Sequence, residues 1–133
     1  ISGFGLLGHA REMMVASSCS ATVFANHVPV FSDVRKLIAA GEVPGGTQRN
    51  LEALEDDVLW ESGLSTDDRL LLADAQTSGG LLIAIPPEDE TSLRMALNAA
   101  GVPVAATVAR VVESREDVLH ISVSNLDPDI VVG

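Results

Sequence analysis

The sequence predicts an α+β fold, with a four-stranded mixed sheet layered with helices and part of the ferredoxin-like topology. Segments with apolar residues at helical spacing are interspersed with alternating, β-branched segments, which is the pattern of strands and helices sharing one sheet. Apolar residues make up 47% of the 133. A chain of this length buries roughly two thirds of its unfolded surface. We therefore expect one packed domain over residues 1–124, followed by a tail at 125–133.

The first two expected elements are a helix and a strand. Ser2 has the residue type of a helix cap, and the helix that follows carries an apolar face at helical spacing, formed by Leu6, Leu7, Ala10, Met13 and Met14. Residues 20–30 alternate in the manner of a strand, and Pro29 is expected to end it.

Two helices are expected next. Ser32 is the predicted cap of a short helix, and Gly41 occupies the position of a left-handed C-terminal residue. The apolar residues expected to turn inward from this helix are Val34, Leu37 and Ile38. A turn at 43–47 then leads into a helix over 48–55, with Thr47 as its predicted cap.

The second half of the chain is expected to form helix, strand, helix and hairpin. Residues 65–68 open a helix that carries three consecutive leucines, and the apolar run 81–85 has the length of a buried strand, which two prolines then stop. A helix over 88–100 ends at Gly101, and its expected inner face consists of Leu93, Ala96, Leu97 and Ala100. The β-branched runs 104–112 and 117–123, joined by 113–116, predict a hairpin.

The composition excludes several classes of protein. A net charge of −11 with only eight Lys and Arg argues against a nucleic-acid partner, because phosphate backbones are bound by clustered basic residues. No apolar run approaches the roughly 20 residues of a membrane span, and the first residues lack the basic and apolar pattern of a signal peptide. A single Cys permits no internal disulfide, so we expect a cytoplasmic protein.

Acidic residues are concentrated in the middle of the chain, between 52 and 68. Carboxylates are ligands for hard cations, but neither His nor Cys joins the cluster. A solvated helix face is therefore the preferred interpretation, and no metal-binding residue is assigned.

Two segments of small residues could bind an anion. Residues 76–80 read QTSGG and residues 45–47 read GGT, so each combines glycines with hydroxyl side chains. Backbone N–H groups in such segments can approach a phosphate closely, and a helix N-terminus adds a favourable dipole. From the residue types alone, a tight turn and an ordinary helix start remain the simpler interpretations.

The order of residues adds a family resemblance. Three blocks are similar to blocks of the selenophosphate synthetases (selenide, water dikinases), and they occur in the family's order: residues 1–9 (ISGFGLLGH), 44–51 (PGGTQRNL) and 74–82 (DAQTSGGLL). Ala75 replaces the family's usual proline, and residues 108–111 replace a Gly-Glu pair. The similarity fades after about residue 103.

The resemblance implies a C-terminal domain of an enzyme that converts ATP, selenide and water to selenophosphate, AMP and phosphate. ATP and magnesium are the implied cofactors of the full-length enzyme, and none is expected to bind the fragment tightly. The implied partners are the missing N-terminal domain and a second subunit of a homodimer, and neither nucleic acid nor membrane is expected. The family's reactive Cys or selenocysteine and its Lys lie outside this chain, so the isolated fragment is expected to be inactive.

Within that resemblance, the two small-residue segments are the expected contacts to nucleotide phosphates. No catalytic residue is assigned to this chain, since Cys19 matches no family motif and His9 is interpreted as a hydrogen-bonded structural residue. The expected phosphate contacts are Gly45, Gly46, Thr47, Asn50, Thr77, Ser78, Gly79 and Gly80.

Two alternatives remain open from the sequence. The parent could be another ATP-dependent enzyme of the aminoimidazole ribonucleotide synthetase superfamily, of the thiamine-phosphate kinase or hydrogenase maturation type. The chain could also be a free-standing acidic binding module.

Overall fold

The computed structural model describes residues 1–114 and 120–125. The helices in chain order are α1 (Gly5–Ser17), α2 (Val34–Ala39), α3 (Gly45–Leu54), α4 (Thr66–Leu72) and α5 (Glu90–Ala99). The strands are β1 (Cys19–Phe24), β2 (Val58–Trp60), β3 (Ala109–Glu113) and β4 (Ile121–Ser124). Short 3-10 turns occupy Ala25–His27 and Pro87–Asp89.

The four strands form one mixed sheet in the order β2-β4-β1-β3. β1 pairs parallel with β4 and antiparallel with β3, and β4 also pairs parallel with β2. The register places Ala21 beside Ile121 and beside Val111. The predicted α+β class and four-stranded mixed sheet are therefore confirmed.

The predicted C-terminal hairpin is wrong. β3 and β4 do not pair with each other, because β1 lies between them and uses one edge for each. Burial explains why β4 pairs with β1 rather than with β3, since Val23 of β1 and Val123 of β4 are each only 1% exposed and lie side by side in the core. Residues 115–119, which contain part of the predicted connection and the start of the predicted second strand, lie outside the described residues.

The predicted buried strand at 81–85 is also wrong. These residues are outside the sheet, and Leu81 is 86% exposed and Ile83 51% exposed. Only Leu82 packs against the core. The sheet instead takes its fourth strand from β2, which is too short for an alternating pattern to be recognised in the sequence.

The core lies between the sheet and the helices α1, α3 and α4. α1 packs on β1 and β4, and it also contacts α3 and α4. Most of the predicted apolar face of α1 is confirmed, because Leu6, Leu7, Ala10 and Met14 are buried and Met13 packs at the edge of the core. The largest fully buried side chains are Leu7, Leu72, Ile121, Val23, Val123 and Thr47. α1, α3 and α4 thus meet at one end of the core, where the candidate site lies.

The predicted caps of α1 and α3 are wrong. α1 begins at Gly5 with Phe4 in the capping position, and the hydroxyl of Ser2 contacts His9 instead. α3 begins at Gly45, after Pro44, so Thr47 lies inside its first turn. The fixed φ of proline suits a helix start, and the early start frees the Thr47 hydroxyl for a tertiary contact.

α2 and β1 also differ from expectation. Asp33, not Ser32, precedes α2, and none of the α2 side chains is buried, with Leu37 51% exposed. Gly41 has a φ of +81°, which confirms its predicted left-handed conformation. β1 ends at Phe24 rather than near Pro29, because the chain turns through Ala25–His27.

The helices α4 and α5 lie close to their predicted positions. Ser65 and Asp68 form a capping box at the start of α4, in which each residue's side chain accepts the other's backbone N–H. α5 has no buried residue, so the predicted inner face is only partly covered: Leu93 and Leu97 are half-buried, and Ala96 and Ala100 are exposed. The predicted tail boundary at residue 125 stays a prediction, since 126–133 lie outside the described residues.

Candidate functional site

Three segments far apart in sequence meet at the N-terminal end of α1. They are residues 1–9, residues 44–51 and residues 73–80, and we call their meeting point the block junction. The side chain of Asn50 connects all three, because its amide Nδ2 donates to the carbonyl oxygens of Gly3 at 2.8 Å and Ala73 at 3.0 Å. Both hydrogens of this amide are therefore used to hold the junction together.

A second connection joins α3 to the residues that follow α4. Thr47 is 1% exposed, and its Oγ1 donates to Oδ1 of Asp74 at 2.8 Å. The same oxygen accepts the backbone N–H of Ala75 at 3.1 Å. A buried hydroxyl that both donates and accepts is fully satisfied, so the first turn of α3 is fixed against the start of the 74–80 loop.

Glycines allow the backbones to approach at the junction. Gly5 has a φ of +70°, and a Cβ at this position would lie 2.7 Å from the carbonyl oxygen of Asp74. A Cβ on Gly46 would lie 3.2 Å from the Cβ of Ala75. Only glycine fits at position 5 without displacing backbone, because both the conformation and the space exclude a side chain.

The loop at 76–80 folds back onto the first two residues. The carbonyl oxygen of Ser2 accepts the N–H groups of Gly5 at 3.0 Å and Gln76 at 3.1 Å, and the nitrogen of Ile1 donates to the carbonyl oxygen of Gly80 at 2.8 Å. A Cβ on Gly79 would come within 2.5 Å of the Gln76 side chain. The loop is therefore a fixed feature of the junction.

The predicted site residues thus divide into two groups. Gly46, Thr47, Asn50 and Gly79 lie within the junction, where their contacts are to neighbouring parts of the chain. The others lie on its outer surface and are exposed: Gly45, Thr77, Ser78 and Gly80. The structure brings both predicted loops together around Ala75, and their role as phosphate contacts stays a prediction.

Sequence reasoning missed several residues that build the junction. Asp74 and Gln76 lie inside the third block, so the resemblance of that block could have indicated them. Neither was selected, because the anion-binding prediction considered only glycines and hydroxyl side chains there. Gly5 was recognisable only as a small residue in a helix start, and its contact with Asp74 depends on tertiary structure.

A chain of three hydrogen-bonding side chains lies beside the junction. Ser2 Oγ is 2.9 Å from Nε2 of His9, and Nδ1 of His9 is 3.1 Å from a carboxylate oxygen of Glu12. The ring of Phe4 packs at a tilt against the His9 ring, with centroids 5.7 Å apart. His9 is thus hydrogen-bonded, as predicted.

An open groove with a volume of about 260 Å³ lies next to these hydrogen-bonded side chains. Phe4, Gly8 and Glu12 form one wall, and Asn50 and other residues of α3 form the opposite wall. Asn50 therefore belongs both to the groove and to the block junction.

The acidic residues in the middle of the chain mainly face solvent or pair with arginine. Arg11 contacts Asp57 at 2.8 Å, and Arg35 contacts Asp68 at 2.7 Å. Hydrogen bonds from Ser65, followed by the Arg35 contact, lower the pKa of Asp68 below its ordinary value of 3.8. Across residues 1–114 and 120–125, no group of three or more His, Cys, Asp or Glu side chains is arranged to hold a metal ion. The magnesium implied by the resemblance therefore has no complete ligand set in this part of the chain.

Cys19 and the other two histidines lie away from the junction in sheet-associated contacts. The Cys19 thiol is directed to the carbonyl oxygen of Ser17, and His120 Nδ1 is 2.9 Å from the carbonyl oxygen of Cys19. His27 contacts the carbonyl oxygen of Thr107 at 3.3 Å.

Comparison with known proteins shows the family of this chain. Residues 1–122 match the model of the family described as AIR synthase related protein, C-terminal domain. The chain is 42% identical over 105 residues to a selenide, water dikinase of Myxococcus xanthus, covering 79% of this chain and 30% of that protein. It is also 42% identical over 113 residues to a selenide, water dikinase of Pelobacter propionicus, covering 85% of this chain and 32% of that protein. The chain therefore spans about a third of the length of these relatives.

Within the described residues, no helix combines the length and apolar character needed to cross a membrane.

Proposed function

Because this chain belongs to the family of AIR synthase related protein C-terminal domains, we propose that it is the C-terminal domain of a selenide, water dikinase. In this proposal the parent enzyme uses ATP, selenide and water to make selenophosphate, AMP and phosphate. The observation that carries the proposal is the block junction, since the three blocks that resemble this enzyme family are joined there by the hydrogen bonds Asn50–Gly3, Thr47–Asp74 and Gln76–Ser2.

The proposed role of the junction is to enclose the phosphates of the nucleotide. Thr77, Ser78 and Gly80 lie on its exposed surface, and Gly45 at the N-terminus of α3 lies on the other loop. Thr47 and Asn50 keep the two loops in a fixed relation through their contacts with Asp74, Gly3 and Ala73. Donors fixed in advance stabilise the charge of a transferring phosphoryl group without reorganisation.

The remaining chemistry is assigned to the rest of the parent enzyme. In this proposal the segment that the relatives have in addition supplies the nucleophilic Cys or selenocysteine, its Lys and the carboxylates that bind magnesium. It also forms the homodimer. Magnesium would offset phosphate charge in the assembled enzyme, and this chain would contribute the loops around the junction.

The experiment that tests the proposal is Ser78→Ala in the full-length parent. Selenide-dependent ATP consumption and melting temperature are measured on the same preparations. Loss of one preorganised donor is expected to slow turnover about 100-fold, with an unchanged melting temperature because the side chain is exposed. Ser32→Ala is the matched control, since Ser32 is also an exposed serine but lies outside the three blocks.

Two outcomes contradict the proposal at different levels. If the parent consumes no ATP in the presence of selenide, the assigned reaction is wrong. If the parent is active and Ser78→Ala has the turnover of the Ser32→Ala control, the reaction stands and the phosphate-binding role of the loop is wrong.

A further inference from the structure

Ser2, His9 and Glu12 have the hydrogen-bond pattern of a proton relay. A carboxylate can only accept, so Glu12 requires the proton of His9 to be on Nδ1. Nε2 of the neutral ring is then an acceptor and faces the hydroxyl of Ser2 at 2.9 Å. This arrangement, a hydroxyl held by a base that a carboxylate orients, is the one that activates hydroxyl groups in enzymes.

The relay lies against the loop to which phosphate binding is assigned. The carbonyl oxygen of Ser2 accepts the N–H of Gln76 at 3.1 Å, and its neighbour Ile1 donates to the carbonyl oxygen of Gly80 at 2.8 Å. Ser2 is therefore bonded through its own backbone to the start of the loop that contains Thr77 and Ser78. Its side chain is exposed, so a water molecule can reach the hydroxyl.

Stability alone does not account for the arrangement. The side chain of Glu12 is 58% exposed, and even with a protonated His9 a pair this exposed contributes only about 0–1 kcal/mol. His9 is, in contrast, hydrogen-bonded at both ring nitrogens, so one nitrogen faces a hydroxyl whose proton it can accept while a carboxylate orients the other.

We propose that Ser2, His9 and Glu12 form the relay that removes the proton from the water molecule attacking a phosphoryl group. The inference rests on the proposed function, in which one of two transferred phosphoryl groups goes to water. The water oxygen forms the new bond to phosphorus as the bond between phosphorus and the leaving nucleotide oxygen breaks. The water proton passes to Ser2 Oγ while the Ser2 hydroxyl proton passes to His9 Nε2. Glu12 stabilises the resulting imidazolium at Nδ1.

In this mechanism Ser2 contacts the reacting water, and His9 and Glu12 act through Ser2. Transfer of a phosphoryl group to selenide does not use the relay, because selenide rather than water is the nucleophile. Loss of the relay is therefore expected to separate the two transfers, which a general loss of structure would not do.

The test uses the full-length parent with the variants His9→Ala, Ser2→Ala and Glu12→Gln. ATP, ADP, AMP, selenophosphate and phosphate are quantified during the first turnover. For His9→Ala we expect ADP to accumulate and AMP formation to slow about 100-fold, the scale of general acid–base catalysis, while selenophosphate still forms. Ser2→Thr keeps a hydroxyl, so it is expected to form AMP at a rate close to wild type, unlike Ser2→Ala. Added imidazole is expected to restore AMP formation in His9→Ala.

The controls separate the relay from folding and from the proposed function. His27→Gln changes a histidine that contacts Thr107 away from the junction, and it should leave the ratio of ADP to AMP unchanged. Glu12→Gln alters an exposed side chain, so it should fold even if His9→Ala does not. The relay is wrong if the parent is active and both Glu12→Gln and Ser2→Ala keep the wild-type ratio of ADP to AMP. If the parent consumes no ATP with selenide, the proposed function fails and the relay fails with it.

Discussion

The hydroxyl of Thr47, which is itself buried, and the carboxylate of Asp74 form a partly buried hydrogen bond of 2.8 Å between residues 27 positions apart. Because the same hydroxyl also accepts the N–H of Ala75, one side chain fixes the first turn of α3 to the loop after α4. The two loops predicted to contact phosphate are held together by this residue and by Asn50.

Thr47→Val is expected to destabilise the domain. Valine has nearly the same shape, but it leaves a carboxylate oxygen of Asp74 and the N–H of Ala75 without their partner. Leaving a buried polar group unpaired costs about 1–3 kcal/mol, and because both groups are only partly buried we expect the lower end of this range. The free energy of unfolding in urea measures the change. Thr47→Ser retains the hydroxyl and is the matched control, so an equal loss in both variants would contradict the explanation.

Gly5→Ala is expected to destabilise the domain more than Gly41→Ala. Both glycines have positive φ, +70° and +81°, so both variants incur the left-handed strain of about 1–2 kcal/mol. Only at Gly5 does the new Cβ also meet backbone, at 2.7 Å from the Asp74 carbonyl oxygen, whereas nothing lies within 4 Å at Gly41. Thermal unfolding of the two variants measures the difference. Equal melting temperatures would show that the close approach at Gly5 is unimportant.

Asn50→Asp is expected to weaken the junction in a pH-dependent way. The introduced carboxylate would face the carbonyl oxygens of Gly3 and Ala73, which now accept from the amide. Its pKa in the folded state is expected to rise, so the destabilisation is small below the unfolded pKa of about 3.9 and grows as pH increases through the folded pKa. Denaturant unfolding at several pH values measures this, with Asn98→Asp on exposed α5 as the control. A loss that is independent of pH would contradict the role of the amide.

The capping box of α4 is expected to weaken in acid. Hydrogen bonds from Ser65 and the Arg35 contact lower the pKa of Asp68 in the folded state below 3.8. The stabilisation is therefore present above pH 3.8 and is lost as pH falls through the lowered folded pKa. Ser65→Ala is expected to lower the free energy of unfolding by about 1 kcal/mol at neutral pH. It is also expected to make that free energy depend less on pH in acid. An unchanged pH dependence of unfolding in Ser65→Ala would count against the assignment.

The isolated 133-residue chain is expected neither to hydrolyse ATP nor to form selenophosphate. The physical reason is that, in the proposed function, the nucleophile, its Lys and the magnesium ligands belong to the rest of the parent, so the charge on a transferring phosphoryl group is not compensated. Magnesium-dependent release of phosphate above a control without protein would refute this expectation.

The sequence by itself determined the fold class, the family resemblance and the elements whose signals are local. The apolar spacing of α1, the helix start at residues 65–68 and the left-handed Gly41 depend on contacts within a few residues, so the sequence pattern was sufficient. The candidate loops were also recognisable, because small residues in a fixed order form the motif itself.

Only the tertiary structure decided which strands pair and what the motif residues do. The two runs that were predicted to form a hairpin both pair with β1 instead. This pairing buries Val23 between Ala109 and Val123, which lie about 100 positions away, so no local pattern in the sequence could indicate it. The apolar run at 81–85 lies outside the sheet, and the short β2 takes the place beside β4. Thr47 was predicted as a local cap, yet its hydroxyl bonds to Asp74, since a polar group that the fold buries must find a partner wherever the chain brings one.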